Sequence, residues 1–154
     1  VKLEGNRSQI NIIEKLALSD IPICAHIGLR PQSVNKMGGY KVQGKGSNEA
    51  NALIQEAKKI EDSGADLLLL ECVSSQTAKD LASEISIPII GIGAGSEVDG
   101  QILVLYDILG ISQGQLPKFS KNYMDGTNTI EDAIKQYIQE VKTLKYPTDK
   151  HSFK

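Results

Sequence analysis

Glu71 closes the apolar run Leu67-Leu68-Leu69-Leu70. A carboxylate at the carboxyl end of such a run is costly unless it is paired, hydrogen-bonded or used as a base. A glutamate simply emerging into solvent is the plainer alternative. Lys2 and Glu4 share one face of an extended segment, because side chains alternate with period two. They could set a cation for an anionic substrate beside an acidic metal ligand, or form an ordinary exposed ion pair. His26, in Ala25-His26-Ile27-Gly28, ends another apolar run. It could donate to a substrate or a carboxylate, or be a buried structural histidine. His26 and His151 are the only histidines, which excludes a histidine-rich zinc site.

Two glycine-rich stretches imitate nucleotide motifs without completing them. Gly39-Tyr40-Lys41-Val42-Gln43-Gly44-Lys45 nearly matches a phosphate-binding loop, but Gly46 stands where a Ser or Thr should hold magnesium. A glycine-hinged lid is the better reading. Gly91-Ile92-Gly93-Ala94-Gly95 lacks the final spacing of a dinucleotide fingerprint; glycines at a strand end more simply let backbone approach a ligand.

The elements that must carry these residues alternate. Residues 1–4, 21–27, 66–72 and 87–93 read as buried parallel strands, and residues 9–18, 49–63 and 75–85 as helices. Ser8 is a plausible N-cap for the first helix, and Gly64 follows the second where a C-cap would fall. Residues 99–109 are ambiguous. The dozen or more residues of a parallel crossover favour a helix there, capped by Asp99 and stopped by Gly110, with the fifth strand at residues 117–120. A last amphipathic helix, 129–145, should bury Ile130, Ala133, Ile134, Tyr137, Ile138 and Val141, ahead of a polar tail, 146–154. On this pattern a doubly wound sheet and the later part of an eight-fold barrel are equally defensible. The long connection over residues 29–48 favours the barrel, whose enzymes keep active sites on loops after strand carboxyl ends.

Bulk properties narrow the partners. The 154 residues are 40% hydrophobic and 23% charged with a net charge of −2, and no Lys/Arg run exceeds a pair. That argues against nucleic acid and anionic membranes. No apolar run reaches membrane-span length. Cys24 and Cys72 lie in apolar stretches, as buried thiols in a reducing compartment do. Asn6-Arg7-Ser8 matches a glycosylation sequon, unaccompanied by a secretory signal. The chain opens on Val1 and enters an apolar-alternating segment at once, so an upstream portion is expected.

Taken together, the segments resemble one family. His26-Ile27-Gly28-Leu29-Arg30-Pro31-Gln32-Ser33-Val34 and Gly38-Gly39-Tyr40-Lys41-Val42-Gln43-Gly44 are similar to the central signature of ketopantoate hydroxymethyltransferases. Leu70-Glu71-Cys72-Val73, Ile87-Pro88-Ile89-Ile90-Gly91-Ile92-Gly93-Ala94-Gly95, Asp99-Gly100-Gln101-Ile102-Leu103-Val104, Pro117-Lys118-Phe119 and His151-Ser152-Phe153 match its later blocks in order. The resemblance implies a (β/α)8 TIM barrel of the phosphoenolpyruvate mutase/isocitrate lyase kind, of which residues 1–154 supply roughly the last five β/α units. It implies transfer of a hydroxymethyl group from 5,10-methylenetetrahydrofolate to α-ketoisovalerate, giving ketopantoate. By resemblance, Glu71 is the catalytic base, Lys2 binds the keto acid, Glu4 belongs to a Mg2+ site, and His26 is the active-site histidine. The family also implies a cytoplasmic homo-oligomer, a decamer. Asn6 and Ser74 depart from its usual glycine and proline, and its first three strands, with two metal-binding aspartates and a substrate serine, have no counterpart here. The competing readings are a related α-keto-acid lyase or aldolase and a non-catalytic fragment. Alone, the chain is expected to be inactive.

Overall fold

The computed structural model describes residues 1–5 and 9–154. The expected cap Ser8 and the sequon lie outside these. Strands β1 (Lys2–Glu4), β2 (Cys24–Gly28), β3 (Leu67–Glu71), β4 (Ile89–Ile92) and β5 (Gly100–Gln101) form one parallel sheet in the order β1-β2-β3-β4-β5. Helices α1 (Ile10–Ala17), α2 (Val34–Met37), α3 (Ser47–Asp62), α4 (Ser75–Ala82), α5 (Leu105–Ile108) and α6 (Ile130–Lys142) accompany it. A doubly wound sheet reverses its strand order at a switch point. Here spatial order follows chain order without reversal, as in successive units of a barrel wall. That resolves the choice the sequence pattern left open.

Register divides the side chains between two faces. Ala25, Ile27, Leu68, Leu70 and Ile89 point to the helix side, where they pack with Ile13, Leu53, Ala57, Ile60, Ala78 and Leu81. Each large aliphatic buried there contributes about 1.5–3 kcal/mol. On the opposite face, Lys2 is paired with Cys24 and Glu4 with His26, His26 with Leu69, and Gly28 with Glu71. Every polar candidate therefore lies on one face by register alone. Leu69 and Ile92 complete that face and pack against Phe119.

Local chemistry sets the element ends. The hydroxyl of Ser74 accepts from Thr77 N–H to cap α4, and Thr129 accepts from Asp132 N–H to cap α6. Gly64 takes φ +94 just past α3, a conformation glycine adopts without penalty. At the amino end of the sheet, Asp66 accepts the Ile23 N–H and Asp99 accepts the Ile89 N–H, both at 2.8 Å. Each aspartate precedes one strand and ties down the start of its neighbour.

Three expectations are corrected. Residues 99–109 are not one helix: Gly100–Gln101 is the edge strand β5, and only Leu105–Ile108 is helical. No long crossover is needed, because β5 pairs opposite Ile90 and Gly91, close to where β4 ends. Residues 117–120 form a turn closed by Ser120 N–H on the Pro117 carbonyl, not a strand. On α6, Ala133 is buried but Ile130 and Ile138 are exposed, because the helix packs on α5 and on tyrosines rather than on a broad sheet.

The carboxy-terminal segment folds back onto the sheet's carboxyl end. Tyr146 is buried against Tyr123 and Tyr137, and its hydroxyl donates to the Phe119 carbonyl. The Phe153 carbonyl accepts both the backbone N–H and the hydroxyl of Ser75, at 2.8 and 3.0 Å. Phe153 itself meets Phe119 edge-on.

Candidate active site

Strands β1, β2 and β3 bring Lys2, Glu4, His26 and Glu71 together on one face, with Glu4 and Glu71 at the carboxyl ends of β1 and β3 and Lys2 and His26 set back from them. All four sequence candidates converge. The His26 ring is 1% exposed and lies between two carboxylates. Its Nδ1 is 3.9 Å from a Glu4 oxygen and its Nε2 is 3.2 Å from a Glu71 oxygen. The second contact is close but lacks hydrogen-bond alignment, so Nε2 has no hydrogen-bond partner among the described residues. Lys2 Nζ stands 3.0 Å from Nδ1. An ammonium there needs a lone pair on Nδ1, which places the ring proton on Nε2, facing Glu71. Lys2 and Glu4 are therefore no simple surface ion pair: histidine stands between them.

The backbone beside Glu71 is tightly constrained. Its carbonyl accepts the Leu29 N–H at 2.8 Å. Gly28 reaches this approach at φ +88, where a Cβ would collide with the same carbonyl. Cys72 follows with φ +53; its N–H donates to the Ile92 carbonyl and its carbonyl accepts from Gln43 N–H, both at 2.9 Å. Burial, with the Glu71 charge adding and Lys45 opposing, pushes the Cys72 thiol up to about 11. Burial also raises Cys24, on the Lys2 face, although the lysine and the terminal amino charge pull it down.

The connection after β2 is more built than a bare loop. It holds a 3-10 turn, Pro31–Ser33, then α2 and a pair of positive-φ glycines, Gly38 and Gly39. Gln32 N–H donates to Glu4 Oε1 at 3.0 Å. Gln43 pairs with Val73, and the Gly44 carbonyl accepts from Thr77 and Ser74 hydroxyls. Both ends are anchored to the site.

Two cavities flank the carboxylates. One of about 440 Å³ adjoins Glu4 and is lined by Gly5, Gln9, Arg30, Ser33, Lys36 and Met37. The other, about 570 Å³, adjoins Glu71 and reaches Leu29, Tyr40, Ile92, Val104, Asp107, Leu116, Phe119 and Phe153. Sequence reading missed Asp107. Ser112 and Ser120 hydroxyls both donate to its buried carboxylate. The available signal was that of Glu71, an acid inside an apolar run.

As a metal site the set is incomplete. Glu4 can offer an oxygen, but among the described residues no group of three His, Cys, Asp or Glu side chains could hold an ion. The residues present do not by themselves fit a metal centre.

A parallel βα array with two carboxylates at its strand ends and a lysine and a histidine beside them on the same face defines an α/β-barrel class of site, suited to anionic substrates and proton transfer. The family model described as ketopantoate hydroxymethyltransferase matches residues 1–149, and the chain belongs to that family. Proteins named 3-methyl-2-oxobutanoate hydroxymethyltransferase match over 99% of this chain. That of Alkalilimnicola ehrlichii is 49% identical over 55% of its own length, and that of Shewanella loihica 51% over 58%. That of Buchnera aphidicola is 50% identical, again over 58%. The chain thus spans somewhat over half the length of the curated relatives it matches.

Proposed function

We propose that the protein to which these residues belong transfers a hydroxymethyl group from 5,10-methylenetetrahydrofolate to 3-methyl-2-oxobutanoate, giving 2-dehydropantoate for pantothenate and coenzyme A synthesis. The observation that carries this is the placement of Glu71 at a strand end against His26, in a chain of this family. Glu71 takes the proton from C3 of the keto acid, leaving an enolate. The enolate carbon forms a bond to the folate's one-carbon unit, whose bonds to the folate nitrogens break. Water supplies the hydroxyl group and the proton of one nitrogen, and the proton Glu71 took from C3 passes to the other, so tetrahydrofolate and hydroxymethylated keto acid leave in balance. A positioned carboxylate at this strand end is suited to the role of general base. Lys2 attracts the substrate carboxylate, and the Nε2 proton of His26 faces the reacting region.

Glu4 is the carboxylate available to a divalent cation, Mg2+ by the family resemblance, whose other ligands would come from outside the described residues. No helix among the described residues is long and apolar enough to cross a membrane; a cytoplasmic homo-oligomer, a decamer as in the family, is the setting we propose. Residues 29–48 act as a lid, with movement confined to the stretch between the anchors at Gln32 and Gln43. The test is product formation by the natural full-length protein with and without methylenetetrahydrofolate. Folate-dependent appearance of 2-dehydropantoate is expected; a folate-independent carbon–carbon cleavage would identify a lyase instead.

A further inference from the structure

We infer that the cavity beside Glu71 is the subsite for the pterin ring of the folate co-substrate, with Asp107 as the acceptor for the ring's N–H edge. This rests on the function proposed above. Glu71 separates two environments. Toward β1 and β2 lie Lys2 and His26, suited to a small anion. Toward β4 lies the cavity of about 570 Å³. That size belongs to drug-sized ligands and far exceeds a small branched keto acid.

The lining discriminates further. Ile92, Val104, Leu116, Phe119 and Phe153 offer apolar and aromatic wall, and flat heterocycles gain from such surfaces. In this wall Asp107 is 5% exposed. Ser112 donates to one of its oxygens and Ser120 to the other. A carboxylate oxygen carries two lone pairs, so each retains accepting capacity. The amino-pyrimidinone edge of a reduced pterin presents adjacent, coplanar N–H donors that match such a pair. The keto acid has no N–H, and its carboxylate would be repelled by a buried anion. Lys118 stands 5.3 Å over the Phe153 ring at the cavity's edge, a cation suited to the glutamyl tail.

The test uses the natural full-length protein with methyl-labelled Ile, Leu and Val. Titration with tetrahydrofolate should shift the Ile92, Val104 and Leu116 methyl signals, and 3-methyl-2-oxobutanoate alone should leave them in place. Shifts produced there by the keto acid, or by neither ligand, would overturn the assignment. In steady-state kinetics Asp107→Asn should raise the KM for methylenetetrahydrofolate at least tenfold and move the keto-acid KM less than twofold; the reverse pattern would place the keto acid in the cavity. Should Asp107→Asn fail to fold, Phe153→Ala at the cavity wall should show the same division between the two KM values. An absence of transfer by the wild type would sink the functional reading, and the tetrahydrofolate titration would still decide the subsite.

Discussion

Lys2 shows how one side chain serves two ends. In the proposed mechanism it offers positive charge to the anionic substrate, and its ammonium, 3.0 Å from Nδ1, places the His26 proton on Nε2. In the full-length protein, Lys2→Ala should weaken keto-acid affinity by about 1.5–3 kcal/mol, the range for hydrogen bonds to charged groups. Calorimetric titration measures this, and unchanged affinity would make Lys2 a surface residue. Cys72 supplies a pH prediction. Its thiol is raised from 9.0 to about 11 by burial, so the unfolded state loses its proton first as pH climbs. The stability this group confers is complete below pH 9 and is lost progressively as pH rises from 9.0 toward about 11. Denaturant midpoints should fall over that window, and Cys72→Ala should flatten the fall. The four site candidates were legible because an acid, a base or a cation in an apolar strand is conspicuous. Asp107 carried the same signal of an acid in an apolar run, but its surroundings did not show in the sequence, since the Ser112 and Ser120 hydroxyls reach it from a following loop.

At the scale of elements, the strands and long helices follow from apolar period and caps, and their observed bounds differ from expectation mainly at the ends. On α6 the buried face was misjudged at Ile130 and Ile138, while wrongly assigned elements were confined to residues 99–120. There the chain makes a two-residue strand and one turn of helix, too short for periodicity to register. Register removes the need for a long crossover: β5 meets β4 only at Ile90 and Gly91. The amino-end aspartates give a direct test of how units are joined. Asp66→Ala leaves the Ile23 N–H without its partner and should cost about 1–3 kcal/mol in chemical denaturation, with catalysis unaffected until the protein unfolds. No loss would mean that water replaces the carboxylate. At the other end, amide exchange should find Leu29 and Gln43 protected without ligand, because they donate to the Glu71 and Cys72 carbonyls. Residues 38–41 should exchange fast and slow on addition of keto acid; equal rates with and without it would make the segment a fixed loop.

At the scale of the whole molecule, β1 and β5 each have one sheet neighbour among the described residues, and the polar face they share is the face a closed barrel turns inward. Open strand edges invite pairing with other chains. A polypeptide limited to these 154 residues is therefore expected to self-associate, seen as mass above the monomer in light scattering, and to lack transfer activity; a stable, active monomer would contradict the barrel reading. Strand order was beyond the sequence pattern, which alternates alike in barrels and doubly wound sheets; the unreversed order and the motif resemblance decide it together. The central claim is that the carboxyl ends of these strands hold an enolising site with Glu71 as its base. It is tested most directly by nuclear magnetic resonance, following exchange of the C3 proton of 3-methyl-2-oxobutanoate with heavy water in the full-length protein. The wild type should catalyse exchange without folate, and Glu71→Gln should abolish it while keto-acid affinity stays within a few-fold. Near-normal exchange in Glu71→Gln would contradict the account and move the base to another residue, with His26 first to be tried.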